Sequence, residues 1–144
     1  MRAAERMRRD PSRVDATDGL GRAARMLARE GLRAVPVTRR GVLLGMLGEA
    51  DVAAAHPSAA TTLSVAEIAG RLDRVPVQRV VAPTLTAVGP RTALPEAIRL
   101  MRARRQPALP VVRGGELLGV LAEDDLLELL ADLLESEAGF VTIR

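Results

Sequence analysis

Ala108-Leu109-Pro110-Val111-Val112-Arg113-Gly114-Gly115-Glu116-Leu117-Leu118-Gly119-Val120-Leu121-Ala122-Glu123-Asp124-Asp125 runs as a short apolar segment, a Gly-Gly turn, a second apolar segment and an acidic opening to a helix. Seventy-four residues earlier the same order occurs from Ala34-Val35-Pro36-Val37 through Arg39-Arg40-Gly41 and Val42 to Leu47, ending at Gly48-Glu49-Ala50-Asp51. The register holds without a gap from Val14/Val88 to Asp51/Asp125, with identities at Leu20/Leu94, Ala23/Ala97, Pro36/Pro110, Gly41/Gly115, Gly45/Gly119 and Asp51/Asp125. A long period occurring twice marks two copies of one supersecondary unit rather than a solenoid. A unit of this size buries too little surface to be stable alone, so each copy is the expected core partner of the other.

Outward from that core the elements follow from spacing. Leu20, Ala23, Ala24, Leu27 and Ala28 recur at helical intervals behind Asp18, a candidate N-cap, and Gly31 is placed to end that helix in the left-handed conformation. Ala34 to Val37 and Val42 to Leu47 form a hairpin, followed by a short helix from Glu49 to Ala55 with acids at its positive end. Asp10-Pro11 reads as a turn, with Met7 and Val14 as the first inward positions and an extended piece around Val14. Ser64 and Glu67 have capping-box spacing for a helix to Leu72, and Val75 to Val81 reads as extended. The second copy runs from an extended Leu85 to Val88, through Thr92 as N-cap, to a helix from Leu94 to Arg104 and a hairpin of Leu109 to Val112 and Leu117 to Leu121. It closes in a Leu-rich helix from Glu123 to Leu134. The resulting organisation is a first repeat over 1–56, a linker with a short helix over 57–76, a second repeat over 77–137 and a tail over 138–144. The fold class is mixed α/β (α+β).

Composition narrows the function. Aromatic residues make up 1% of the chain against 48% hydrophobic, so the core is aliphatic. Cysteine is absent, which excludes disulfides and thiolate metal sites, and no apolar run approaches the ~18 residues of a membrane span. A cytoplasmic protein is the expectation. All 21 basic residues are arginine, yet the net charge is only +3, and eight acids without a base lie between Glu116 and Glu137. That dipolar distribution argues against nucleic acid as the main partner, although an Arg-rich first half leaves it as a third reading, to be seen as steep salt dependence. One histidine, His56, falls in the linker, no thiol is present, and Ser12, Ser58, Ser64 and Ser136 have no base beside them in any catalytic pattern. The acids Glu123, Asp124, Asp125 and Glu128 fit helix-dipole complementarity without a metal. An enzyme is not expected.

The twice-repeated order, with Pro-Val inside the first strand and Gly-x-x-x-x-x-Asp at the second, resembles the CBS (cystathionine β-synthase) domain, and two in tandem resemble a CBS pair, or Bateman module, in pseudo-two-fold arrangement. The resemblance covers about Ala4 to Leu134. It implies clefts between repeats that take adenine nucleotides or related adenosyl ligands (AMP, ADP, ATP or S-adenosylmethionine), no required cofactor, and association into a flat homodimer. It places Ala34-Val35-Pro36 and Ala108-Leu109-Pro110 along an adenine, and Asp51 and Asp125 at the ribose hydroxyls. A carboxylate suits two adjacent hydroxyl donors, and such charge-assisted bonds are worth ~1.5–3 kcal/mol, about ten-fold to a hundred-fold in affinity. Three residues before that acid the family's nucleotide binders carry Ser or Thr, whereas this chain has Gly48 and Ala122. One polar contact is lost at each site, although Gly48 leaves a backbone amide at a helix start. Arg39, Arg113, Arg102, Arg104 and Arg105 are candidates for phosphate neutralisation or plain surface charge. The implied function is a regulatory sensor acting on an unknown partner. The alternative is an adaptor that has lost its ligand and dimerises through the Leu-rich helix.

Overall fold

In a computed structural model the described residues are 1–55, 65–82 and 86–141; His56, Ser64 and Leu85 lie outside them. The first repeat comprises β2 (Val14–Asp15), α2 (Leu20–Glu30), β3 (Ala34–Arg39), β4 (Val42–Gly48) and α3 (Glu49–Ala55). The second comprises α5 (Leu94–Arg104), β5 (Ala108–Arg113), β6 (Glu116–Ala122) and α6 (Glu123–Val141). Ahead of each repeat lies a leading segment. The first holds α1 (Ala3–Arg6) and β1 (Arg8–Arg9); the second holds a 3-10 turn at Val77–Arg79, after α4 (Val65–Asp73). The strands form one sheet in which β6 meets β1, β4 and β5, and β3 lies between β4 and a short parallel β2.

Each hairpin is set by its turn. Arg40 and Gly41 have φ of 52° and 81°, and Gly114 and Gly115 have 57° and 84°. Two consecutive left-handed residues are the geometry whose twist matches antiparallel strands, and glycine adopts it without steric cost. Alternation along the strands then sends Val35, Val37 and Leu47 into one core and Leu109, Val111 and Leu121 into another, all 0% exposed. The eight buried residues of the second core map, at the 74-residue offset, onto eight of the ten in the first. A third cluster between the repeats is made of matched pairs: Ala34/Ala108, Leu43/Leu117 and Met46/Val120. At the centre Leu43 N–H donates to Gly115 O (2.9 Å) while Leu117 N–H donates to Gly41 O (3.1 Å), each bond being the other's image. The interface is therefore isologous within a single chain.

The leading segments cross over. Sequence position assigns residues 1–9 to the first repeat, yet their hydrogen bonds go to the second. Ala3 N–H donates to Thr92 O (2.8 Å), Ala4 N–H to Pro90 O (3.0 Å), and Leu94 N–H to Met1 O (2.8 Å). Shifted by the repeat, the same three bonds recur on the first repeat: Val77 N–H to Asp18 O (2.9 Å), Gln78 N–H to Ala16 O (3.1 Å) and Leu20 N–H to Val75 O (2.7 Å). Gly119 and Gly45 make the crossing possible. A Cβ on Gly119 would lie 2.6 Å from Arg8 O and from Met7 Sδ; one on Gly45 would lie 2.4 Å from Val81 Cγ2 and 2.9 Å from Ala82 O.

Several local expectations are corrected. Val77–Arg79 is a 3-10 turn rather than extended chain, and α6 continues past Leu134 to Val141. The N-caps of α2 and α5 are Gly19 and Ala93. Asp18 and Thr92 instead turn their side chains back, accepting from Asp15 N–H (2.8 Å) and Gly89 N–H (3.1 Å).

Candidate functional site

The isologous packing leaves a cleft between the repeats of about 250 Å³. One wall is β3 and the turn before it, from Gly31 to Ala34 and Pro36; the facing wall is Pro107, Ala108, Val120 and Ala122. The leading segment from Arg8 to Ser12 forms its edge, and Glu123 and Asp124 at the start of α6 close its end. The strand-borne part of the lining is small and apolar, because Ala34, Pro36 and Ala108 are strand positions that face away from the two cores, while Arg8, Arg9, Glu30, Arg33, Glu123 and Asp124 make the rest of it charged. Such a slot, with backbone polar groups along it and a helix start at one end, suits a flat heteroaromatic ring.

The site residues expected from sequence are thus only partly brought together. Ala34, Pro36, Ala108 and Ala122 line this cleft. Val35 and Leu109 turn their side chains into the cores, so only their backbone is on offer to a ligand. Pro110 is buried against β6, opposite Val120. Gly48 and Asp51 stand at the start of α3, where Gly48 N–H donates to Asp51 Oδ2 (2.8 Å), half of a capping box. The 74-residue relation gives the Asp51 side a leading segment of residues 82–86, of which 83–85 lie outside the described residues.

Asp125 has a different partner. Arg8, carried by β1 along the edge of β6, donates from Nε to Asp125 Oδ2 (2.6 Å) and from Nη2 to Asp125 Oδ1 (2.8 Å). Both carboxylate oxygens are engaged by one planar fork. The hydrogen bonds from Arg8 hold the Asp125 carboxyl below its usual range against a smaller opposing effect of burial, and Arg8 is raised in return. A second ion pair, Arg33 Nη1 to Glu123 Oε2 (3.0 Å), joins the repeats across the same cleft. The pairs are half-exposed, so each contributes at most ~1 kcal/mol to stability.

The cations at this cleft are therefore Arg8, Arg9 and Arg33, which the sequence reading did not single out. Arg39 hydrogen-bonds Gln78, Arg113 ends β5 at the exposed turn, and Arg104 is exposed at the end of α5. Arg102 and Arg105 border a larger apolar groove of about 730 Å³ between α5 and α6, floored by Ile98, Met101, Leu126 and Leu130. Among the described residues no group of three or more His, Cys, Asp or Glu could hold a metal ion. No helix among them is long and apolar enough to cross a membrane.

Comparison with known proteins agrees with the duplicated fold. The sequence profile of the CBS domain matches residues 3–58 and 77–132. The chain is 33% identical over 104 residues to the CBS domain-containing protein YhcV of Bacillus subtilis (strain 168), covering 72% of this chain and 67% of that protein. A Vibrio cholerae protein assigned as an acetoin utilization protein (AcuB) superposes with a TM-score of 0.78 at 25% identity over 95% of both chains. CBSX2, solved in complex with AMP, shares the fold with a TM-score of 0.74 at 19% identity, over 92% of this chain and 97% of that one. With two matched copies in one α/β structure, the chain belongs to the CBS-domain family as a tandem pair.

Proposed function

We propose that this CBS pair is a non-catalytic regulatory module that binds an adenine nucleotide or related adenosyl ligand between its repeats. The observation that carries the reading is the cleft between the repeats, walled by the small apolar Ala34, Pro36, Ala108 and Ala122 and edged by Arg8, which in turn holds Asp125 on the first turn of α6. An apolar slot takes a purine, and Asp51 and Asp125 are suited to accept from vicinal hydroxyls. AMP, ADP, ATP and S-adenosylmethionine share those two features, and CBSX2, of the same fold, holds AMP. The volume is near the lower end of the ~300–1,000 Å³ usual for small-molecule pockets, so a ligand opens the cleft as it enters. Because the leading segment is one edge, opening it shifts one repeat against the other. A ligand with unequal affinity for the two arrangements then biases them, and a partner reads the result.

A second reading, of a dimeric adaptor without a ligand, is supported by Gly48 and Ala122 in place of hydroxyl residues. It is supported also by Leu127, Leu130, Leu133 and Leu134 on α6, which are 49–57% exposed beside the apolar groove. A second copy of the chain is the occupant proposed for that face in either reading.

Thermal unfolding with AMP, ADP, ATP and S-adenosylmethionine, on the native chain and on Asp51→Ala and Asp125→Ala, separates the two. Ligand at about a hundred times its dissociation constant adds ~2.7 kcal/mol of stability. A shift lost in one Asp variant supports the sensor. No shift with any of the four at millimolar concentration refutes it and leaves the adaptor.

A further inference from the structure

The two repeats match through their cores and differ in the surroundings of the acid that the proposed function assigns to the ribose. Asp51 and Asp125 occupy the same place in their helices, the third residue of α3 and of α6. Asp125 has both oxygens taken by the Arg8 guanidinium, at 2.6 and 2.8 Å. Asp51 accepts from the Gly48 amide at 2.8 Å and, among the described residues, meets no cation. The leading segments explain why. Met7 and Arg8 cross β6 at Gly119 as Val81 and Ala82 cross β4 at Gly45, so the position that holds Arg8 on one side holds Ala82 on the other. An alanine has no group to reach the acid.

Arg8 borders two spaces: the inter-repeat cleft, with Arg9, Ala34 and Ala122, and a shallow depression beside Asp125, with Glu5, Glu128 and Asp132. We propose that Arg8 gates access from the inter-repeat cleft to Asp125 and makes that cleft selective for phosphorylated adenosyl ligands. The inference rests on the adenosyl-ligand reading above. For a ribose to use Asp125, Arg8 must release it, and a guanidinium released beside Asp124, Glu128 and Asp132 keeps an attraction for those acids rather than for a neutral ligand. A ligand phosphate changes the balance. It offers the same planar fork a bidentate acceptor on the cleft side, so that Arg8 exchanges a carboxylate for a phosphate while Asp125 exchanges a guanidinium for two hydroxyls. Adenosine provides hydroxyls for Asp125 but no anionic acceptor to take the Arg8 fork in its place. At Asp51 the position equivalent to Arg8 is Ala82, which imposes no such requirement.

The test is calorimetric titration with AMP and with adenosine on four proteins: native, Asp51→Ala, Asp51→Ala/Arg8→Ala and Asp51→Ala/Arg8→Gln. The Asp51→Ala background leaves only the Asp125 cleft. There AMP is expected to bind about ten-fold to a hundred-fold more tightly than adenosine, the range for one charge-assisted pair. Either Arg8 change should raise adenosine affinity and bring the two ligands within a few-fold of each other. Arg8→Gln keeps the first three side-chain carbons along β6 without the charge, so a fold disturbed by the shorter alanine does not decide the result. AMP selectivity of the same size with and without Arg8, or adenosine bound better by Asp51→Ala than by its Arg8 variants, overturns the gate and leaves the adenosyl reading intact. Neither ligand binding to any of the four proteins overturns both.

Discussion

The crossing of the leading segment over β6 makes Gly119→Ala the most informative single substitution. The added methyl would sit 2.6 Å from both the Arg8 carbonyl oxygen and Met7 Sδ, and 2.8 Å from Met7 Cγ. Met7 can rotate, but Arg8 O is backbone in a paired strand, so β1 must move away by most of an ångström. Overpacking of this kind costs ~1–3 kcal/mol. For 144 residues the unfolding entropy is about 0.3 kcal/mol/K, which converts that cost to a fall in Tm of roughly 3–10 °C. The assay is thermal unfolding by circular dichroism, with Gly70→Ala as the comparison. Gly70 lies in α4 with nothing within 4 Å of an added Cβ, so alanine there should raise stability by ~0.5–1 kcal/mol. Displacing β1 also withdraws Arg8 from Asp125, so Gly119→Ala should loosen the cleft edge as it destabilises the fold. A Gly119→Ala protein that melts with the native one would refute the exchanged arrangement of the leading segments.

Three further outcomes follow from other contacts. Leu109→Ala empties a site with 0% exposure and should cost ~2–5 kcal/mol by denaturant titration; a loss under about 0.5 kcal/mol would contradict its place in the second core. Arg105 ends α5 at φ 52°, ψ 44°, where its repeat equivalent Gly31 has φ 63°, ψ 33°. Arg105→Gly should therefore raise stability by up to ~1 kcal/mol, and an unchanged or lower Tm would count against strain at that cap. Asp125 has a folded pKa held below its unfolded value by Arg8, so its contribution is present above the unfolded carboxylate range and is lost as pH falls through the folded value. The native chain should exceed Asp125→Asn by ~0.2–1 kcal/mol near neutral pH, with the difference shrinking below about pH 4 in urea titrations. A difference that grows on acidification contradicts the pairing.

Much of this architecture is legible in the sequence because it is local. The helix from Leu94 to Arg104 and the short helix from Glu49 to Ala55 have the bounds their spacing indicates, and both hairpins pivot at the glycines expected. The gap-free 74-residue register locates nearly the whole core, since all eight buried residues of the second core have buried counterparts in the first. The leading segments were not legible. A four-residue helix and a two-residue strand have no periodicity, and their partners lie about ninety residues along the chain or, for β1, still further. A signal existed nonetheless: carrying the offset back before Val14 pairs Ala3 with Val77 and Met7 with Val81, two apolar matches in an otherwise arginine-rich stretch. The caps failed for a different reason. Asp18 and Thr92 are suitable N-cap residues, but each closes a turn onto the amide three residues earlier, a choice made by the strand entering the helix rather than by the helix.

The same non-local crossing accounts for what the sequence could not say about the site. Reading each repeat as self-contained puts Asp51 and Asp125 in equivalent surroundings, because every residue near them in sequence has a counterpart. The exchange of leading segments breaks that equivalence, since the edge of the cleft beside Asp125 is built from residues 8–12, more than a hundred positions away. Position 8 is arginine and position 82 alanine, a difference that costs the core nothing, because both residues are exposed while their carbonyls make the matched approach to Gly119 and Gly45. A duplicated fold can in this way keep one packing solution in both halves and still give two equivalent acids chemically distinct surroundings. The asymmetry resides in the short segments that pass from one half to the other, where a side chain alters the ligand site without altering the fold that carries it.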